Sequence, residues 1–448
     1  MMKHKPYPKY KPSGIDWIGD IPEGWEVERL ANIGIFSSSG IDKKINENEP
    51  LVSMVNYTDI YGNEARVLRQ DREYMVVSCL EAKRRIHQVK YGDLMFTPSS
   101  ETIEDIGLSA VVDEDLPNTV FSYHVVRFVF LKNVSHEFKK YLCNNSFVLN
   151  QFSRLANGTT RQILGRFDFR STLVVVPPIE EQQQIANYLD EKTARLDDLI
   201  QKKEEMIDIL KEKRAAIINQ AVTKGLDPNA QMKPSGIDWV GDIPEGWEVL
   251  RLKYKISLDP SKNEVLKIIS LGDDVTFLPM AYVTEGGDIN DENEKKLEDV
   301  FNGYTYFRDN DVVVAKITPC FENGKGALIK GMKNGIGFGT TEFFVLRSKS
   351  LDEKYLFYLT KSDCFRKTGE ASMKGAAGQK RIPDSFIKDF KIGFPEQTEQ
   401  KRIASYLDKK TTEIDGLINK IESAIAKLRE YRSSLITAAV TGKIDVRG

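Results

Sequence analysis

Lys11-Pro12-Ser13-Gly14-Ile15-Asp16-Trp17-Ile18-Gly19-Asp20-Ile21-Pro22-Glu23-Gly24-Trp25-Glu26-Val27 returns 222 residues further on, from Lys233 to Val249. One residue differs, Ile18 becoming Val240, and all four tryptophans of the chain (Trp17, Trp25, Trp239, Trp247) sit in these two copies. So close a repeat means that the chain is one structural unit written twice. A second match marks the far end of each unit. Glu181-Gln182 with Ile185-Ala186-Asn187-Tyr188-Leu189-Asp190 answers to Glu399-Gln400 with Ile403-Ala404-Ser405-Tyr406-Leu407-Asp408, 218 residues apart. The match holds through Ala221-Val222-Thr223 and Ala439-Val440-Thr441. Each unit therefore runs from a Trp-rich segment, through a divergent globular region, to a helix.

Apolar residues recur at Leu189, Leu196, Leu199, Met206, Leu210 and Ile217, and again at Leu407, Ile414, Leu417, Ile421, Ala424, Leu428 and Leu435. Steps of three and four predict a helical seam. Pro178 and Pro395 precede the two helices, and Gly225 and Gly442 follow them, as start and stop signals should. About 40 residues each give rods of roughly 60 Å. Lys192, Lys203 and Lys213 interrupt the first seam. A generic coiled coil for self-association is the plain reading, but the duplication argues that the two helices pack on each other within one chain.

Between these landmarks the units share a skeleton. Tyr91-Gly92-Asp93-Leu94-Met95-Phe96 leads into Thr97-Pro98, and Asn310-Asp311-Val312-Val313-Val314-Ala315-Lys316-Ile317 leads into Thr318-Pro319. Each predicts a turn, a buried strand and a proline-marked loop. Val125–Phe128 and Phe343–Arg347 predict further strands. Glycine loops follow at Gly158-Thr159-Thr160-Arg161-Gln162-Ile163 and Gly378-Gln379-Lys380-Arg381-Ile382. The divergent regions are expected to be mixed α/β domains.

At 448 residues and 41% apolar content the chain has the makeup of a globular protein of two or three domains. No apolar run approaches a membrane span, and the start Met1–Pro8 is basic and proline-broken, so a cytoplasmic protein without a signal peptide is expected. Cys79, Cys143, Cys320 and Cys364 are too far apart in sequence for a zinc knuckle. The formal charge of −2 runs against nucleic-acid binding. A basic face averaged against acidic helices, or phosphate contacts from a partner, would reconcile the two.

The order of these motifs resembles Type I restriction-modification specificity subunits over essentially the whole chain. The carriers are Pro-Ser-Gly-Ile-Asp-Trp and Ile-Pro-Glu-Gly-Trp, the Glu-Gln-x-x-Ile-Ala-x-Tyr-Leu-Asp helix starts, Thr318-Pro319-Cys320-Phe321-Glu322-Asn323-Gly324-Lys325-Gly326, and Gly339-Thr340-Thr341-Glu342-Phe343. The resemblance implies two target-recognition domains, each reading one half of a split, asymmetric site on double-stranded DNA. It also implies helices that dock two methyltransferase subunits, with restriction/motor subunits joining later. The expected fold is α+β: two mixed α/β target-recognition domains joined by two long helices packed as an antiparallel coiled coil, pseudo-two-fold symmetric. Its segments are a Trp-containing stretch (1–25), recognition domain one (26–176), a central helix (177–225), a linker with the second Trp stretch (226–247), recognition domain two (248–394) and a C-terminal helix (395–448). Leu189, Leu196, Leu199, Leu210, Leu407, Ile414, Leu417 and Leu428 are the expected packing residues of the helices.

Chemistry of the chain's own is hard to find in the sequence. Gly324-Lys325-Gly326 lacks the spacing and hydroxyl of a Walker A loop. Val176-Pro177-Pro178 lacks the Asn and the aromatic of an amino-methyltransferase motif. His4, His87, His124 and His136 form no metal pair. Pro383-Asp384 with Asp389-Phe390-Lys391 mimics a nuclease core on too short a spacer, and Arg166–Arg170 stands at the same place in the first unit without it. A non-catalytic, cofactor-free subunit is expected. The alternatives are a self-sufficient endonuclease or methyltransferase, and a coiled-coil scaffold.

Candidate DNA-contacting residues follow from donor chemistry. Lys83, Arg84 and Arg85 form a basic triplet that is either a contact or a solvated face. Thr97, Ser99 and Ser100 in one loop, and Lys316, Thr318, Asn323 and Lys325 in the other, offer hydroxyl, amide and cationic groups. The glycine loops bring Thr159, Arg161 and Gln162, and Gln379, Lys380 and Arg381, on backbone able to approach a phosphate. A near-identical segment cannot read two different half-sites, so the Trp stretches are assigned to packing.

Overall fold

The computed structural model describes residues 5–375 and 378–447. The basic start at Met1–His4, with His4 itself, lies outside the described residues. The chain divides into two compact units, Met1–Lys203 with Ser423–Gly448, and Glu204–Glu422. Each unit thus owns one globular domain and one part of each long helix.

The Trp-rich segment folds as a short hairpin in both units: Tyr10–Pro12 pairs with Asp20–Pro22, and Met232–Pro234 with Asp242–Pro244. Directly after it, Glu26–Arg29 pairs antiparallel with Leu173–Val176, and Glu248–Arg251 with Lys391–Phe394. The first and last strands of each domain therefore close on each other and deliver the chain to its helix. Buried Trp25 and Trp247 seal this joint. Each indole N–H donates to a helix carboxylate, Glu181 or Glu399, at 3.1 Å, which satisfies the one polar group that a buried tryptophan carries.

The next helix residue repeats as faithfully. Gln182 accepts from the Ser135 amide at 2.8 Å and donates to the Pro177 carbonyl at 2.8 Å. Gln400 accepts from the Asp352 amide at 2.8 Å and donates to the Pro395 carbonyl at 2.9 Å. Tyr141 donates to Asp190, and Tyr358 to Asp408. The repeated Glu-Gln and Asp positions are thus the sockets into which each domain plugs.

In the first domain a five-stranded sheet has the order Gly34–Ser38, Val126–Phe130, Leu94–Phe96, Ser109–Val112, Val67–Leu68. A three-stranded sheet holds Thr119–Phe121, Leu51–Val55 and Met75–Ser78. In the second domain the corresponding sheet runs Ile256–Leu258, Phe343–Ser348, Val312–Ala315, Gly326–Leu328, beside a second four-stranded sheet of Glu294–Lys296, Asp274–Leu278, Ile336–Gly339 and Thr305–Arg308. A buried aspartate starts each central strand and faces an arginine of its neighbour: Asp93 with Arg127 at 3.8 Å, and Asp311 with Arg347 through two bonds of 2.7 Å.

The long helices span Ile179–Lys224 and Gln397–Val440. Gly225 and Gly442 follow them with φ of 76° and 71°, the left-handed geometry that ends a helix. In the first unit Ile185, Ala186 and Leu189 share a buried cluster with Leu435, Ile436, Ala439 and Val440. Moving on to Asp197 moves back to Arg432, its ion-pair partner, so these segments run antiparallel. In the second unit Ile218, Ala221 and Val222 cluster with Ile403, Ala404 and Leu407, and Arg214 meets Asp415, again antiparallel.

The buried seam differs in detail from the one read in the sequence. Leu189, Leu407 and Ile414 are buried, and Leu196, Leu210 and Leu428 are half-buried. Leu199 and Leu417 are instead 41% and 48% exposed, and Met206 is exposed as well. Thr193, Ile200 and Ile207, and Thr411 and Ile425, take the inner positions. A leucine ladder drawn through Leu417 skips Thr411, which donates its hydroxyl back to the Leu407 carbonyl at 2.8 Å and so sits inside without an unmet polar group.

Candidate DNA interface

In the first domain the loop that follows the central strand turns at Thr97-Pro98 and forms the short strand Ser99–Ser100. This strand pairs with Gln162–Ile163, and the Leu164 amide donates to the Pro98 carbonyl at 2.8 Å. The two loops singled out in the sequence are therefore one structure. Asn157 and Ile163 close the tip of the second loop by mutual backbone bonds of 3.1 and 2.9 Å. Gly158 stands at φ 141°, where a Cβ would lie 2.0 Å from the Arg161 carbonyl oxygen. Only glycine allows this narrow hairpin, which exposes Thr159, Thr160 and Arg161. The Arg161 guanidinium lies over the Tyr57 ring at 5.6 Å, and Tyr57 stacks on Tyr61 at 5.2 Å.

The second domain repeats the construction with other side chains. Ile317 bridges Arg381, and the Thr318 amide donates to the Lys380 carbonyl at 3.0 Å. Lys374 and Arg381 close the hairpin with two bonds of 2.9 Å. Gly375, at φ 136°, has a Cβ position 2.7 Å from the Gln379 carbonyl oxygen, the same constraint as at Gly158. Gln379 and Lys380 are exposed beside the loop that carries Asn323 and Lys325.

The charged residues divide by what already holds them. Arg381 donates to both oxygens of Glu342 at 3.0 and 2.7 Å, and that contact holds the Glu342 carboxyl below its usual range. Lys316 sits over the Phe344 ring at 4.6 Å, and Lys325 reaches the Met280 carbonyl at 3.4 Å. On the helix Glu81–His87, Arg84 and Arg85 both pair with Glu81, at 2.7 and 3.1 Å. Thr97 is buried and donates to the Leu108 carbonyl at 3.2 Å, and Ser100 is buried in the strand pair, so both support their loop from below. Ser99 is half-exposed, and Thr318 donates to the Lys380 carbonyl at 3.2 Å.

No sequence motif marked Tyr57 or Tyr61, which come to this surface from a distant segment, whereas Glu342 comes from the Gly339–Phe343 motif without any sign there of its partner Arg381. The nuclease-like Asp384 and Asp389 are engaged with cations, Asp384 with Lys388 at 2.7 Å and Asp389 with Arg251 and Lys253 at 3.2 and 3.3 Å.

The family model described as the Type I restriction modification DNA specificity domain matches residues 22–208 and again residues 259–427. The chain belongs to this family.

The two matches of this specificity-domain model fall on the two domains just described. The chain is 35% identical over 207 residues to the Type I restriction enzyme EcoEI specificity subunit of Escherichia coli, an alignment covering 43% of this chain and 34% of that protein. It is 38% identical over 205 residues to the EcoAI specificity subunit of Escherichia coli, covering 44% and 33%. These alignments thus span about a third of the length of those relatives. A solved chain, from a study of complex assembly and conformational transition of the type I R-M system, shares the fold at a TM-score of 0.67 and 17% identity, over 95% of this chain and 99% of that one. Among the described residues no helix is long and apolar enough to cross a membrane.

Proposed function

We propose that this chain is the sequence-reading subunit of a Type I restriction-modification assembly in the cytoplasm. It binds an asymmetric, bipartite site on double-stranded DNA, one half per domain, and makes and breaks no bonds itself. The paired loop and hairpin form the reading surface of each domain. In the first domain these are residues 97–100 with 157–163, and in the second 316–325 with 374–375 and 378–382. The observation that carries this reading is the repetition of one glycine-pinched hairpin on one strand-end loop, with different exposed donors on each (Thr159 and Arg161 against Gln379 and Lys380), while the Gln162 amide is turned back to the Gly158 carbonyl. A frame that repeats while its exposed donors change suits one task performed on two different sequences.

Two methyltransferase subunits, and after them restriction/motor subunits, dock on the frame rather than on the tips. Leu199, Met206 and Ile209 of the first long helix and Tyr406, Leu417 and Tyr431 of the second are exposed apolar side chains of the kind that partner helices cover. The test is reconstitution. The chain alone should bind no S-adenosylmethionine by calorimetry and methylate nothing, while its addition to the methyltransferase subunit should direct methylation to one bipartite motif. Tight S-adenosylmethionine binding by the chain alone would favour an enzyme of its own.

A further inference from the structure

The two domains hold their reading loops by the same position, filled with different chemistry. Tyr141 and Tyr358 anchor to the long helices, and Asn145 and Ser362 cap the following helix, accepting from the Val148 amide at 3.2 Å and the Phe365 amide at 3.4 Å. Both pairs stand 217 residues apart, so Asn144 of the first domain answers to Lys361 of the second. The Asn144 side chain accepts from the Ser109 amide at 3.0 Å and donates to the Ser109 carbonyl at 2.9 Å. Ser109 is the first residue of the strand on which the loop after Thr97 returns to the sheet. The Lys361 ammonium is buried and donates to the carbonyls of Gly324 at 2.7 Å, Gly326 at 2.8 Å and Glu285 at 3.0 Å. Gly326 is likewise the first residue of the returning strand.

We infer that Asn144 and Lys361 are positioning residues for specificity: each clamps the returning end of its domain's DNA-facing loop, and Lys361 thereby sets where Asn323 and Lys325 stand. The inference rests on the reading that these loops face DNA. All three donors of the ammonium go to backbone oxygen, and two of those oxygens flank Lys325. Burial pushes this lysine down to about 7, with Arg214 and Arg366 adding to the effect and Asp288 and Glu285 opposing it. A buried amine whose bonds all go to the backbone around this loop serves to fix geometry, since burying a polar group is unfavourable unless its hydrogen bonds are made. Asn144 does the same work without charge, holding Ser109 by both its backbone groups while its amide also donates to the Lys140 carbonyl at 2.7 Å.

The test uses the full chain in complex with its methyltransferase subunits and three duplexes: one with the motif methylated in cells, and two with one half-site scrambled. Lys361→Met should weaken binding to the intact motif about tenfold and leave binding to the duplex with a scrambled second half unchanged. Lys361→Gln, which keeps two donors, should recover part of the loss. Asn144→Leu should do the same for the first half alone. If Lys361→Met does not fold, Asn144→Leu decides. Folded variants that discriminate both half-sites like the wild type would overturn the inference. Wild-type binding indifferent to scrambling either half would sink the underlying reading instead.

Discussion

Arg432 donates to both carboxylate oxygens of Asp197, at 2.8 and 3.1 Å. Arg214 and Asp415 are the same two repeat positions with the helices exchanged, and Arg214 Nε lies 3.0 Å from Asp415. One ion pair is thus made twice, each time inside one unit, and it records which turn of one helix faces which turn of the other. Its partners are partly exposed, and exposed pairs contribute about 1 kcal/mol or less. A double-mutant cycle of Asp197→Ala and Arg432→Ala, read by chemical denaturation, should give a coupling below about 1 kcal/mol. A coupling several times larger would mean that the pair, rather than the buried cluster of Leu189 and Ile436, holds the segments together.

The tryptophans separate into two classes. Trp25 is buried and bonded to Glu181, whereas Trp17 is 51% exposed and stacks on Phe147 at 4.8 Å. Trp25→Ala should lower stability by about 3–5 kcal/mol, the range for emptying a large aromatic site. Trp17→Ala should cost far less. Denaturation midpoints of the two variants, measured side by side, check the ordering, and equal losses would contradict the joint described for Trp25.

Much of this architecture was legible in the sequence because it is duplicated. The Trp stretches, the Glu-Gln sockets and the helix bounds could each be checked against a second copy. The seam was less legible, since Leu199 and Leu417 look like better core residues than Thr193 and Thr411, and Thr411 sits inside because its hydroxyl bonds to the Leu407 carbonyl of its own helix. At the proposed reading surface, the glycine hairpins were visible as motifs. Their pairing with the Thr-Pro loops was not, because it joins segments about sixty residues apart, Ser100 to Gln162 and Ile317 to Arg381. That Arg381 is bound to Glu342 could not be read from either motif.

The hairpin cations should differ in their effect on DNA binding. Arg161 rests on Tyr57, and Lys380 is exposed, whereas Arg381 is fixed by Glu342. Arg161→Ala and Lys380→Ala should weaken binding and make the salt dependence shallower by about one unit per lost phosphate contact. A loss of about 1–3 kcal/mol confined to one base pair would instead mark a base reader. Arg381→Ala should act through the shape of its loop, so its loss should not follow the salt slope. Unchanged affinity in all three would remove the hairpins from the interface.

Acid should release the Arg381 anchor in a defined direction. The Glu342 carboxyl titrates below its ordinary value when folded. Its contribution to stability is therefore complete above the unfolded glutamate value and is lost as pH falls toward the lower folded value. Glu342→Gln should be less stable than wild type near neutrality, and the difference should shrink as the pH drops through the carboxylate range. Thermal unfolding from pH 7 to pH 3 measures it, and a gap that widens in acid would contradict the assigned pairing.

The central claim, that one chain carries two independent readers, is tested most directly by exchanging residues 26–176 for the matching region of a relative and mapping the methylated motif by modification-sensitive sequencing. The account predicts that one half of the motif changes and the other half stays as it was. A variant that still methylates but changes both halves together, or neither, would contradict it.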